Sequence, residues 1–327
     1  MQWLTPIPTS RSNDRGAVGI FTAIVVVVLF GFLGLAVDVG AMYDERRQLG
    51  NGADAAVLAI AEDCALEVIS CNLGSAKPIA ASFAAANASD GFAAVDSVVI
   101  DPVARSVRVV TSTLTADGGT VFEPFFAEVI GFDGTTVRAS ATAVWGYPSS
   151  MRGVLPLIIS ECEFPLSTNL PTPERVLYFH DGNPEEPCNA HAGQDADGDG
   201  FLPAGFGWLD TVSGCHIDLV TGTWKEADPG ASPTTGCTTG DIAGLVGEPT
   251  PLPIFDDIVG TGSGGEYHIA GFALFVVTGY NLGGQFKFNA PCNGDQRCVS
   301  GYFTTGVVHD GSIGGVYRGI VIVKLTD

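Results

Sequence analysis

The longest apolar stretch in the chain runs from Ala17 to Val37, 21 residues without a charge, with an unbroken aliphatic and aromatic run from Ile24 to Phe30. At about 1.5 Å per residue, a helix of this length crosses the roughly 30 Å hydrocarbon core of a bilayer. A core helix of a soluble domain seldom needs so long a run with Arg11 and Arg15 just outside it. A cleaved secretory signal has a shorter apolar region, of roughly 7–15 residues, and ends in a small-residue site that is not evident here. The stretch therefore predicts one retained transmembrane helix.

Beyond it, Leu49, Ala53, Ala56, Ile60 and Cys64 recur at spacings of three and four within residues 38–70. That period places them in one narrow, alanine-rich stripe of a helix, with Arg46 and Arg47 on the charged side. The stripe suits close packing against a neighbouring chain or against the chain's own sheet. The anchor and this segment read as one long broken rod, with Gly50 and Gly52 as weak points. Between Lys77 and Trp145 the pattern predicts a helix over about Pro78 to Ala88, and strands over Val95 to Ile100 and Val107 to Leu114 around the turn residues Asp101 and Pro102. It then predicts a short helix over Phe122 to Ile130, with Phe125, Phe126 and Val129 facing the sheet, and a strand over Thr136 to Val144.

From Gly153 onward, β-branched and aromatic runs alternate with Gly, Pro, Asp and Thr clusters. Strands are expected at Val154 to Ile159, Val176 to Phe179, Glu266 to Tyr280, Val299 to Val308 and Gly315 to Leu325. The fold class is α+β. A tail (1–16) and a transmembrane helix (17–37) lead into a membrane-proximal helix and sheet module (38–148), followed by a disulfide-bonded all-β distal domain (149–327).

Charge and cysteine bear on orientation and partners. The net charge of −21 argues against nucleic-acid binding through a basic face. Basic residues alone leave the topology undecided, because Arg11 and Arg15 on one side of the anchor face Arg46 and Arg47 on the other. All eight cysteines, Cys64, Cys71, Cys162, Cys188, Cys215, Cys237, Cys292 and Cys298, follow the anchor. An even number without a C-x-x-C pair suits disulfides in an oxidising compartment better than zinc or redox chemistry. The expected location is the cell membrane, single-pass, with the N-terminus cytoplasmic and the C-terminal domain extracytoplasmic. Cys64 with Cys71 and Cys292 with Cys298 are near enough to close small loops. Of the many pairings open to the rest, the sequential ones, Cys162 with Cys188 and Cys215 with Cys237, are favoured.

The stretch Arg15, Gly16, Ala17, Val18, the apolar run ending Leu35, Ala36, Val37, Asp38, Val39, Gly40, then Glu45 to Leu49 and Asn51 to Ala56, resembles the N-terminal module of TadG-like proteins of tight-adherence (Flp) pilus systems. The resemblance covers about 50 residues in order and spacing. It implies a membrane-anchored pilus-assembly factor or minor pilin-like component whose partners are the membrane and other Tad-system proteins. A long N-terminal helix beside a small sheet is also similar to pilin architecture. Prepilin processing after Gly16 would place Glu where Phe21 stands, so the anchor is expected to remain uncleaved. Some relatives carry a von Willebrand A domain with an Asp-x-Ser-x-Ser metal site; the string from Asp310 to Gly314 lacks the second serine, and that domain is not expected.

The remaining candidate chemistry is sparse. Asp195, Asp197 and Asp199 alternate before a turn glycine and can converge on one calcium ion, although Phe206 stands where an EF-hand needs Glu; an acidic solvated turn is the competing reading. Gly260 to Gly265 satisfies G-x-G-x-x-G but runs into a β stretch, which favours a hairpin loop over dinucleotide binding. H-E-x-x-H and G-x-S-x-G do not occur, and Cys215, His216 and Asp218 read as disulfide scaffold. No catalytic or cofactor-binding residue is expected. The leading function is non-enzymatic assembly, with Gly31, Gly34 and Leu35 as membrane-packing positions on the anchor. An anchored calcium-dependent surface adhesin or ligand-binding protein is the alternative.

Overall fold

In the computed structural model, the chain enters on α1, one α-helix from Arg15 to Leu66. The structure describes residues 15–66, 71–164, 170–179, 188–189, 201–202, 204–211, 214–260 and 264–326. Contrary to the expected break, α1 continues through Gly50 and Gly52. A glycine costs a helix about 1 kcal/mol relative to alanine, and at Gly52 close packing offsets it. A Cβ there would stand 2.9 Å from Ala84 Cα and 3.3 Å from its carbonyl oxygen. Both atoms belong to α2, Leu73–Asn87. This second helix starts five residues earlier than its sequence pattern predicts, because Asn72 caps it: the Asn72 Oδ1 accepts hydrogen bonds from the amides of Gly74 (2.8 Å) and Ser75 (3.3 Å).

The described chain forms two units. The first takes in α1 up to Ala56, Lys77–Val98 and Val109–Ala141; the second comprises Val57–Ala76, Val99–Arg108 and the chain from Thr142 onward. The boundary expected between residues 148 and 149 lies inside the second. Strands β1 (Ala93–Asp101), β2 (Ser106–Thr113) and β3 (Arg138–Gly146) have residues in both.

In the first unit, β1, β2 and β3 are neighbours in that order. Leu49 of α1 and Ala84 of α2 are buried with Ala93 and Val137, and Val95, Phe122 and Ala139 pack around them. Small residues bring helix and sheet close enough for the Thr111 hydroxyl to donate to the Leu49 carbonyl at 2.9 Å. On the exposed side, Asp96 accepts from the Ser112 hydroxyl (2.6 Å) and from Arg138 Nε (2.9 Å). The Ser112 hydrogen bond, then Arg138, hold the Asp96 carboxyl below its ordinary pKa.

The second unit is mostly β. Its main sheet runs Trp224–Asp228, Phe206–Leu209, Leu157–Ser160, Thr250–Val259, Glu266–Gly283, Cys298–Thr304, Arg175–Tyr178. The 18-residue Glu266–Gly283 strand also pairs with Trp224–Asp228, which closes a ring of five strands and removes their free edges. Phe206, Trp208, Phe275 and Phe303 are fully buried on one side, with edge-to-face contacts such as Phe275 on Phe303 at 4.9 Å. A second cluster holds Ile158, Phe255, Tyr267 and Ile269. Between strands, Arg318 is buried against Glu161 and donates to the Ala270 carbonyl at 3.1 Å. Beside the main sheet, residues 142–146 of β3 pair antiparallel with Ile320–Thr326, and that strand pairs parallel with Gly306–Val308.

Several strands depart from the pattern. Val154 to Ile159 is not one strand but the end of Pro148–Val154 and most of Leu157–Ser160, parted at Leu155 and Pro156. Val299 to Val308 likewise divides at Thr305. Thr250–Val259 was not anticipated, because Pro251 and Pro253 argue against a central strand. Those prolines precede Ile254 and Phe255, the residues that pair on both sides.

Candidate membrane-anchoring and assembly site

From Val18 to Val37 the apolar side chains of α1 are exposed, and this stretch holds the described helix that is long and apolar enough to cross a membrane, with a mean hydropathy of 2.9. Gly34 is the one buried residue among positions 18–37; Asp38, one helical turn on and over the same face, is buried too. Gly34 and Asp38 are covered by one segment, residues 121–132.

Sequence pattern predicts a short helix here with its phenylalanines against the sheet. The structure corrects this. Phe122 bridges Thr135, the chain turns through Phe125 and Phe126, and only Ala127–Ile130 forms a 3-10 turn, closed by Gly131 in the left-handed conformation. Ala127 alone of that turn is buried, while Phe125, Phe126, Val129 and Ile130 are exposed. The cause is the carboxylate of Asp38, only 3% exposed. Its Oδ1 accepts from the amides of Phe125 (2.8 Å) and Phe126 (3.2 Å), and its Oδ2 from those of Phe126 (3.0 Å) and Ala127 (2.7 Å). Charge-assisted bonds to three consecutive amides fix the chain in a turn that a longer α-helix cannot share. At Gly34 a Cβ would stand 2.8 Å from Phe126 Cγ, so glycine is what admits the ring. Beside this contact lies an apolar cleft of about 420 Å³ lined by Val28, Gly31, Leu35, Val129 and Ile130, among others.

The three expected packing positions therefore sit differently. The close-approach space at Gly34 is filled by Phe126 of the same chain. A Cβ added at Gly31 would meet no described neighbour within 4 Å, and Leu35 is 40% exposed. The lower stripe, Leu49, Ala53, Ala56, Ile60 and Cys64, is buried throughout, so it is spent inside the chain and does not form a face free for a neighbour. Arg46 and Arg47 are exposed. Sequence reasoning did not find the clamp of Asp38 on residues 125–127. Its available signal was a charge ending an apolar run, answered 87 residues later by the Phe-Phe pair.

Cys64 is bonded to Cys71, Cys215 to Cys237 and Cys292 to Cys298. Cys162 is also disulfide-bonded, and no described cysteine is free; the side chain of Cys188, its expected partner, lies outside the described residues. Asp195, Asp197 and Asp199 lie outside them as well, and among the described residues no group of three His, Cys, Asp or Glu is placed to hold a metal ion. The strands on either side of the Gly260 to Gly265 string pair antiparallel, Val259 with Glu266, and residues 261–263 lie outside the described residues. Beside the Cys215–Cys237 bond, Asp218 accepts from the Gly153 amide at 2.9 Å.

No curated protein and no solved structure matches the chain. Residues 16–62, the portion of α1 that carries the exposed apolar run, Gly34, Asp38 and most of the buried stripe, match the family of putative Flp pilus-assembly TadE/G-like proteins.

Proposed function

We propose that this protein is a membrane-anchored, non-enzymatic component of a Flp pilus-assembly system. The observation that carries the reading is coincidence of position: the TadE/G-like match at residues 16–62 falls on the helix whose first half is apolar and exposed. The apolar half of α1 holds the chain in the bilayer with its N-terminus in the cytoplasm. The remainder, whose bonded cysteines all follow the anchor, stands in an oxidising compartment. Residues 38–327 carry 13 basic and 35 acidic side chains, a surface repelled by anionic headgroups. Its work is done by contact with other assembly proteins, through the anchor helix and the β-rich domain.

Deleting the gene tests this. Surface Flp pili counted by electron microscopy are expected to fall sharply and to return with the full-length chain, but not with a chain lacking residues 17–37. Unchanged piliation in the deletion strain contradicts the proposal. Sheared filaments containing the protein would place it within the pilus, and retention in the membrane fraction would make it an accessory factor.

A further inference from the structure

We infer that residues 121–132 form a second membrane contact, a wedge that enters the same leaflet as the outer end of the anchor and packs against the acyl chains there. The inference rests on the reading of α1 as a membrane-spanning helix. If Ala17 to Val37 lies in the bilayer, Gly34 lies about 6 Å inside the level of Asp38 at 1.5 Å per residue. Phe126 is in contact with Gly34 and must lie at that depth. The cleft shared by Val129 and Ile130 reaches along α1 to Val28, roughly 15 Å from Asp38. Amphipathic elements at membrane interfaces bury about 5–10 Å of their apolar face, so the depth of Phe126 is within the ordinary range, and the cleft continues beyond it along α1.

Two independent features of the segment suit a hydrocarbon environment. Its apolar side chains are exposed: Phe125 is 78% exposed, Val129 87% and Ile130 73%. Ala127 is the buried member of the turn, and the exposed Glu123 and Glu128 are the charges of the segment that must reach for the headgroups. The backbone is also prepared, since an amide in lipid must find its acceptor within the protein. Asp38 takes the amides of Phe125, Phe126 and Ala127, while Val129, Gly131 and Phe132 donate to Phe126, Glu128 and Ala127 carbonyls at 3.2, 2.9 and 3.1 Å. Lipid is favoured over a second helix as occupant. The cleft is continuous with the lipid-facing surface of α1, and the close-approach site at Gly34 is already taken by Phe126.

The test uses the full-length chain in phosphatidylcholine vesicles, with a polarity-sensitive fluorophore on Val129→Cys and, separately, on Ile130→Cys. Both residues are exposed, so neither substitution disturbs packing. Val27→Cys within the anchor serves as reference. Blue-shifted emission at 129 and 130, with most of the intensity lost to nitroxides on the upper acyl chain and little to an aqueous quencher, is the expected result. Water-like emission at both sites, with the Val27 label quenched by lipid nitroxides, overturns the wedge and leaves the anchor standing. If the Val27 label is itself water-like, the anchor reading falls and takes the wedge with it.

Discussion

Asp38 fixes residues 125–127 through its carboxylate alone, so Asp38→Ala leaves three amides without an acceptor. At about 1–3 kcal/mol for an unsatisfied buried donor, local opening of this turn becomes easier by one to two orders of magnitude. Hydrogen exchange at Phe125, Phe126 and Ala127 should accelerate accordingly, with exchange in the Glu266–Gly283 strand unchanged; unaltered exchange at 125–127 would show that the carboxylate does not hold the turn. Asp96 gives a pH-dependent counterpart. Its folded pKa lies below the unfolded value of about 3.9. The Ser112 and Arg138 interactions therefore contribute stability that is present above pH ~4 and is lost as pH falls through the folded pKa. Arg138 is largely exposed, which limits the effect to about 0.2–1 kcal/mol. Asp96→Asn should lower stability at pH 7 and flatten its pH dependence below pH 4, as read by denaturant unfolding of the detergent-solubilised chain.

At the scale of elements, α1 and α2 meet through alanine and glycine, and their separation is set by Gly52. Gly52→Leu forces the helices apart at the Ala84 backbone, a shift that no side-chain rotation relieves. Overpacking of this kind costs about 1–3 kcal/mol; the melting temperature should drop by several degrees, whereas Gly50→Leu, with nothing within 4 Å of its Cβ position, should leave it nearly unchanged. Equal effects at the two glycines would contradict this packing. The periodicity of Leu49, Ala53, Ala56, Ile60 and Cys64 made α1 legible, because a 3.6-residue repeat says which side is buried. It does not say by what, and only the structure assigns the stripe to the chain's own interior. The 121–132 segment was misread because Phe, Phe and Val at helical spacing satisfy the pattern of a core helix. What decides its conformation is a carboxylate far away in sequence. Thr250–Val259 was hidden by its prolines, and the split at Leu155 and Pro156 by aliphatic residues that are apolar on both sides of the break. The Cys64–Cys71 and Cys292–Cys298 bonds were readable because short loops bring their cysteines together.

For the whole molecule, the chain carries a TadE/G-like segment that includes the anchor and a β-rich unit with its own aromatic core, and the account depends on the bilayer holding the first half of α1. Among the described residues, the apolar side chains from Val18 to Val37 are left mostly exposed. In water such a surface would drive association of copies; in lipid it is at rest. Alkaline carbonate extraction of membranes from cells expressing the full-length chain separates these cases most directly, since it strips proteins held by surface contacts and spares those that span. The protein should remain wholly in the membrane pellet and move to the supernatant when residues 17–37 are removed; release of the intact chain by carbonate would contradict the account.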